Sequence, residues 1–132
     1  GGVKFLLVHG SPRKNNEDIL PDTPLSEVEK MLENVDADVV LCGHTHIPCG
    51  FQTESRKTVV NAGSIGRTFF VEPNSYPKAC YLIIEVDNGS CVFQHQFVEY
   101  DKEQASEKLA AREFEGADKL AGMLINPEIR HF

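Results

Sequence analysis

Apolar positions along this chain follow two rhythms. Val3-Lys4-Phe5-Leu6-Leu7-Val8 and Val39-Val40-Leu41-Cys42 are short, nearly continuous apolar runs, the pattern of strands buried on both faces. Between them Leu25, Val28, Met31, Leu32 and Val35 recur at helical spacing. Pro24 suits a first turn and Ser26-x-x-Glu29 has the form of a capping box, so a helix is predicted from Thr23 to near Asn34. Strand, helix, strand makes one βαβ-like unit.

Further along, Phe51-Gln52-Thr53 and Thr58-Val59-Val60 read as a small hairpin around Ser55-Arg56, followed by the glycine-rich stretch Asn61-Ala62-Gly63-Ser64-Ile65-Gly66. Cys80 to Val86 and Cys91 to Tyr100 are longer strands joined by Asn88-Gly89, a pair that tolerates positive φ and gives the clearest hairpin signal. Lys102 to Phe114 is predicted as an amphipathic helix, and Ala117 to Leu124 as a shorter one before Pro127. Gly1-Gly2 also suits a hairpin turn, which places a partner strand upstream of the first run. No internal repeat or low-complexity segment interrupts these elements.

Composition narrows the class. With 132 residues and 41% apolar content the chain is one domain or part of one. Lys plus Arg number 13 against 20 Asp plus Glu, for a net charge of -7, and no basic run forms a patch. That argues against tracking a nucleic-acid duplex, which depends on clustered cations, while a small anionic substrate stays open if a metal supplies positive charge. Cys42, Cys49, Cys80 and Cys91 form no Cys-x-x-Cys pair and are expected to be reduced thiols of a cytoplasmic protein. No stretch approaches the roughly 20 apolar residues of a membrane span, and no signal-like segment is present, so no membrane association is expected.

Chemistry concentrates where the first two runs end. The first stops at His9-Gly10, and the second runs into Gly43-His44-Thr45-His46-Ile47-Pro48. On an extended strand His44 and His46 would point to opposite sides, whereas on a tight loop both imidazoles can face one cavity. His9, at the end of the neighbouring run, offers a third nitrogen, and strand ends are where α/β sheets bind ligands. From the residues alone, metal ligation and ordinary structural roles both stand open for these histidines. A closed zinc site from Cys42, His44, His46 and Cys49 is a further reading, opposed by the alternation that turns Cys42 into the core. Ala62-Gly63-Ser64-Ile65-Gly66 misses the serine-hydrolase elbow by one residue, and no helical pattern follows it. Asn61 and Ser64 are expected to shape their loop through side-chain to backbone bonds, and Arg67 is the candidate for a phosphate contact. His95 reads as a partly buried histidine with a hydrogen-bond partner, and His131 belongs to the tail.

Taken in order, "VHGSPR", "ADVVLCGHTHIP" and "VVNAGSIGR", within residues 3 to 100, closely resemble the later motifs of the calcineurin-like metallophosphoesterases, in particular the small bacterial and archaeal phosphodiesterase-type branch. The resemblance implies an α/β chain forming the C-terminal half of a four-layer αββα sandwich, residues 1 to 132 being part of a single domain. It implies two divalent metal ions (Mn, Fe, Zn, Ni or Co), with His9 and His44 on one ion and His46 on the other. It further implies hydrolysis of a small phosphate mono- or diester by metal-activated water. The family's Asp-x-His, Gly-Asp-x-x-Asp and Gly-Asn-His-Asp/Glu motifs have no counterpart here. Asp18, Asp22, Asp36, Asp38, Asp87, Asp101 and Asp118 match none of them and read as solvated charges, and no catalytic residue is assigned. The chain's expected partner is therefore an N-terminal half or a further copy of itself. The competing reading is an inactive phosphoesterase-like scaffold serving as a binding module; the intact histidines favour an active parent.

Overall fold

The computed structural model describes residues 1–68 and 78–126. Its elements are β1 (Phe5–Leu7), α1 (Leu25–Met31), β2 (Val39–Cys42), β3 (Cys49–Gln52), β4 (Thr58–Asn61), β5 (Ala79–Asp87), β6 (Ser90–Val98), α2 (Lys102–Ala110) and α3 (Ala117–Ile125). The mixed α/β class expected from the pattern is present. Phe69 to Val71 and Pro73, on which the case against a serine elbow partly rests, lie outside the described residues, as do Pro127 and His131.

Four strands form one sheet in the order β1-β2-β4-β3. β1 runs parallel to β2, with Leu6 opposite Val40, and β2 runs parallel to β4, with Val40 opposite Val59; β3 is antiparallel to β4. The βαβ unit is thus realised, with α1 carrying the chain across between two parallel neighbours. One face of the sheet turns Leu6, Val40, Cys42 and Val59 towards Val28, Met31 and Leu32 and towards Ile19 of the preceding loop, which together form the core. Val28, Val40 and Val59 are fully buried, and side chains of this size contribute about 1.5–3 kcal/mol each on full burial.

α1 is shorter than its apolar spacing predicts, and the expected capping box does not form. Pro24 occupies the N-cap and has no side chain to offer, so Ser26 lies inside the helix rather than at its cap. Glu29 instead accepts the Glu54 backbone N–H at 2.9 Å, tying the helix to the turn after β3. At the other end, Leu32 bonds back to Glu29 O and Asn34 takes φ 64°, which stops the helix before Val35 completes another turn.

β5 and β6 form a separate two-stranded antiparallel sheet closed by Asn88 and Gly89 at φ 45° and 82°, the left-handed turn expected of that dipeptide. Gly1 O accepts the Gly89 N–H at 3.0 Å, so the start of the chain lies against this turn. Alternation puts Cys80, Leu82, Ile84, Phe93 and His95 on one hairpin face and the exposed Tyr81, Ile83 and Val92 on the other. The hairpin is fastened to the four-stranded sheet by His95 Nε2, 2.7 Å from Asn61 O, and by the Cys80 N–H, which donates to Ser64 O at 2.8 Å.

α2 begins at Asp101, whose carboxylate accepts the Gln104 N–H at 2.8 Å, and it ends at Ala110 rather than continuing to Phe114. α3 starts after Gly116 at φ 87° and lies against α2, where the Ser106 hydroxyl donates to Ala121 O at 2.9 Å. Among the described residues no helix is long and apolar enough to cross a membrane.

Candidate metal centre

The parallel ladder continues past the ends of β1 and β2: Val8 N–H donates to Leu41 O and Gly43 N–H to His9 O, each at 2.9 Å. Neighbouring strands lie about 4.8 Å apart, so His9 and the residue after Gly43 are forced side by side. His9 Nε2 lies 3.1 Å from His44 Nδ1, with ring centroids 5.0 Å apart and planes at 72°. The other His44 nitrogen, Nε2, is 3.4 Å from Asp18 Oδ1. Three side chains from three segments therefore stand in a row across one sheet edge.

His44 and His46 take φ 61° and 63°, left-handed values that non-glycine residues adopt at a cost of about 1–2 kcal/mol each. Thr45 between them holds the loop in this shape. It is fully buried, its hydroxyl lies 3.4 Å from Ile19 O, and it accepts from Asn61 Nδ2 at 2.9 Å. Asn61 also donates to Gly43 O at 2.7 Å and accepts the Gly63 N–H at 3.0 Å. Its amide thus spans the histidine loop and the glycine-rich loop, which is the backbone-shaping role expected of it. Gly63, at φ 78°, has no room for a side chain, since a Cβ would come within 2.8 Å of Cys80 Sγ.

Upstream, the loop after β1 turns tightly on Gly10, where a Cβ would lie 2.6 Å from Asn15 O. Ser11 is buried and its hydroxyl bonds Glu17, which also pairs with Arg13 Nη2 at 2.5 Å. The Arg13 guanidinium and then the Ser11 hydroxyl hold the Glu17 carboxyl below the ordinary carboxylate range. This lock fixes the segment that delivers Asp18 and Ile19 to the histidine loop.

A shared ion is a geometric fit for the first pair. Two nitrogens bound to one ion at about 2.1 Å, with tetrahedral to octahedral angles, lie about 3.0–3.4 Å apart, and His9 and His44 are at 3.1 Å. Among the described residues no group of three or more His, Cys, Asp or Glu side chains is placed to hold one ion together, so His46 does not join the pair. The closed Cys/His zinc site lacks its ligand set for the same reason. Cys42 and Cys49 face the core, where burial pushes their thiols up to about 12 and about 11, well away from the thiolate a metal needs. Arg67 is held by its backbone N–H on Ser64 Oγ at 3.0 Å, with its guanidinium 3.3 Å from Met123 Sδ of α3. Asp18, read on sequence as a solvated charge, is 47% exposed at its side chain and also approaches His44 Nε2. It sits 26 positions before His44, and no local spacing announces a contact made only by the fold.

Comparison with known proteins bears on this edge. The model of the calcineurin-like phosphoesterase superfamily domain matches residues 1–89. No curated protein matches the chain. Among solved structures, the chain is similar to a hypothetical protein from Pyrococcus horikoshii OT3, at 27% identity and TM-score 0.70, covering 92% of this chain and 46% of that one. It is also similar in fold to a metallophosphoesterase from Sphaerobacter thermophilus, at 21% identity and TM-score 0.68, covering 93% of this chain and 54% of that one. The chain thus spans about half the length of these structures.

Proposed function

The chain belongs to the calcineurin-like phosphoesterase superfamily, and from that premise we propose that its protein hydrolyses phosphate mono- or diesters, with His9 and His44 holding one divalent cation. The observation that carries this reading is the 3.1 Å approach of His9 Nε2 to His44 Nδ1 at the C-terminal ends of two parallel strands. Imidazole suits Mn, Fe, Co, Ni or Zn, and His46, two residues on, is assigned to a second ion. Ions held by these histidines would supply an activated water and would neutralise charge on the phosphoryl oxygens.

The chain's own residues set the stage for that chemistry. Thr45 and Asn61 fix the loop that presents His44, and the ladder bond from Gly43 to His9 O sets the spacing of the pair. Arg67 is the candidate contact for a substrate phosphate oxygen. The carboxylates that would bridge two ions are assigned to another part of the domain, of which this chain forms the C-terminal portion. That assignment is supported by β1, a sheet edge that leaves Leu7 72% exposed.

The test is an assay of the full-length protein on a chromogenic phosphodiester with and without manganese. Metal-dependent turnover that disappears in His44→Ala is expected. Manganese binding without turnover on any phosphate ester would instead favour the scaffold reading.

A further inference from the structure

We propose that Asp18 is a positioning residue for the metal-binding pair: its carboxylate takes the Nε2–H of His44 and thereby presents an unprotonated Nδ1 towards His9 Nε2. The inference rests on the metal reading above and deepens it. A neutral imidazole carries one N–H, so a ring that ligates through Nδ1 must keep its proton on Nε2, and that proton needs an acceptor. Asp18 Oδ1 lies 3.4 Å from that nitrogen, while 3.1 Å separates the other nitrogen from His9. At 3.4 Å the approach is longer than the roughly 2.7–3.2 Å of an N–H···O bond, and the Asp18 side chain is 47% exposed, so the bond is part of what is proposed.

The residues on either side of Asp18 are anchored. Glu17 before it is locked by Ser11 and Arg13, and Ile19 after it is buried at 2% exposure, its carbonyl facing the Thr45 hydroxyl and the Cys49 thiol. The same buried anchor, Ile19 with Thr45, fixes the backbone on each side of the Asp18–His44 contact. Because Asp18 meets the ring nitrogen that faces away from His9, it does not share an ion with the pair, in agreement with the absence of a three-ligand cluster among the described residues. A carboxylate in this place sets the tautomer, fixes the ring plane and raises the basicity of the ligating nitrogen.

The experiment compares wild type, Asp18→Ala, Asp18→Asn and His44→Ala of the full-length protein. Manganese binding is measured by calorimetry, and the His44 tautomer in the metal-free protein by nitrogen NMR. Asp18→Ala should weaken manganese binding about 10–100-fold and move His44 away from the Nε2–H form. Asp18→Asn, whose amide oxygen can accept the same bond, should restore the tautomer and part of the affinity. Unchanged affinity and tautomer in Asp18→Ala, with binding abolished in His44→Ala, would overturn the positioning role and leave the metal reading standing. Weakened binding with an unchanged tautomer would also overturn it, reducing Asp18 to a bystander charge. Wild-type binding in His44→Ala would remove the metal reading and this inference with it.

Discussion

On the α1 side of the four-stranded sheet, Val28, Val40 and Val59 reach zero exposure, whereas on the hairpin side burial is uneven: Val39 and Val60 are at 3% but Leu7 is at 72%. The first face is closed by a helix and by the Ile19 loop, both held on the sheet by apolar contact. The second meets β5–β6 across a gap bordered by Leu41, Cys80, Leu82 and Ile84, with His95 bonded to Asn61 O. The histidine loop hangs between the two. Thr45 ties it to Ile19 on the closed side, and Asn61 ties it to the side where His95 arrives. The geometry of the His9–His44 pair therefore rests on the closed face, and the open face is joined through His95 at Asn61 O and Cys80 at Ser64 O.

The largest expected effect breaks the closed face. Val40→Ala should lower the unfolding free energy of the full-length protein by about 2–3 kcal/mol, read from the denaturant midpoint, while Ile83→Ala on the exposed hairpin face should change it by about 1 kcal/mol or less. Equal losses would mean that the two faces are not different in kind. Next comes the tie between them. Asn61→Ala leaves Gly43 O, the Thr45 hydroxyl and the Gly63 N–H without their amide partner. It should cost about 1–3 kcal/mol and release the left-handed loop, so manganese affinity should fall further than it does in His95→Ala.

A smaller effect follows from pH. Cys42 and Cys49 on the closed face have thiols raised from 9.0 to about 12 and about 11, chiefly by burial. Unfolded thiols lose their protons near the lower value while folded ones keep theirs. Their contribution to stability is therefore intact below about pH 9 and is lost as pH climbs through the raised values. Chemical unfolding from pH 8 to 10 should show a decline that Cys42→Ala and Cys49→Ala together reduce, and neither thiol should react with an alkylating reagent in the folded protein at pH 8.

Much of this organisation is legible in the residues themselves. Continuous apolar runs marked β1 and β2, Asn88-Gly89 marked the hairpin, and the apolar spacing marked α1, because each signal is local; the burial expected on both faces of β1 is not met, since Leu7 is 72% exposed. The helix ends were less legible. Ser26-x-x-Glu29 has the form of a capping box, but Pro24 takes the cap and Glu29 is drawn to Glu54, a partner 25 residues away. The same limit governs the site. His9 and His44 could be suspected because both close apolar runs, whereas Asp18 lies in a loop with no period, and its place beside His44 is set by the burial of its neighbour Ile19. Contacts made by loops anchored through one apolar residue leave no spacing to read.

The central claim is that His9 and His44 share an ion, and it is met most directly by a crystal of the full-length protein soaked in manganese and measured at an anomalous wavelength. The account predicts a peak between His9 Nε2 and His44 Nδ1, with Asp18 on the far side of the His44 ring. A peak elsewhere, or an unoccupied pair still joined nitrogen to nitrogen at saturating metal, would contradict it.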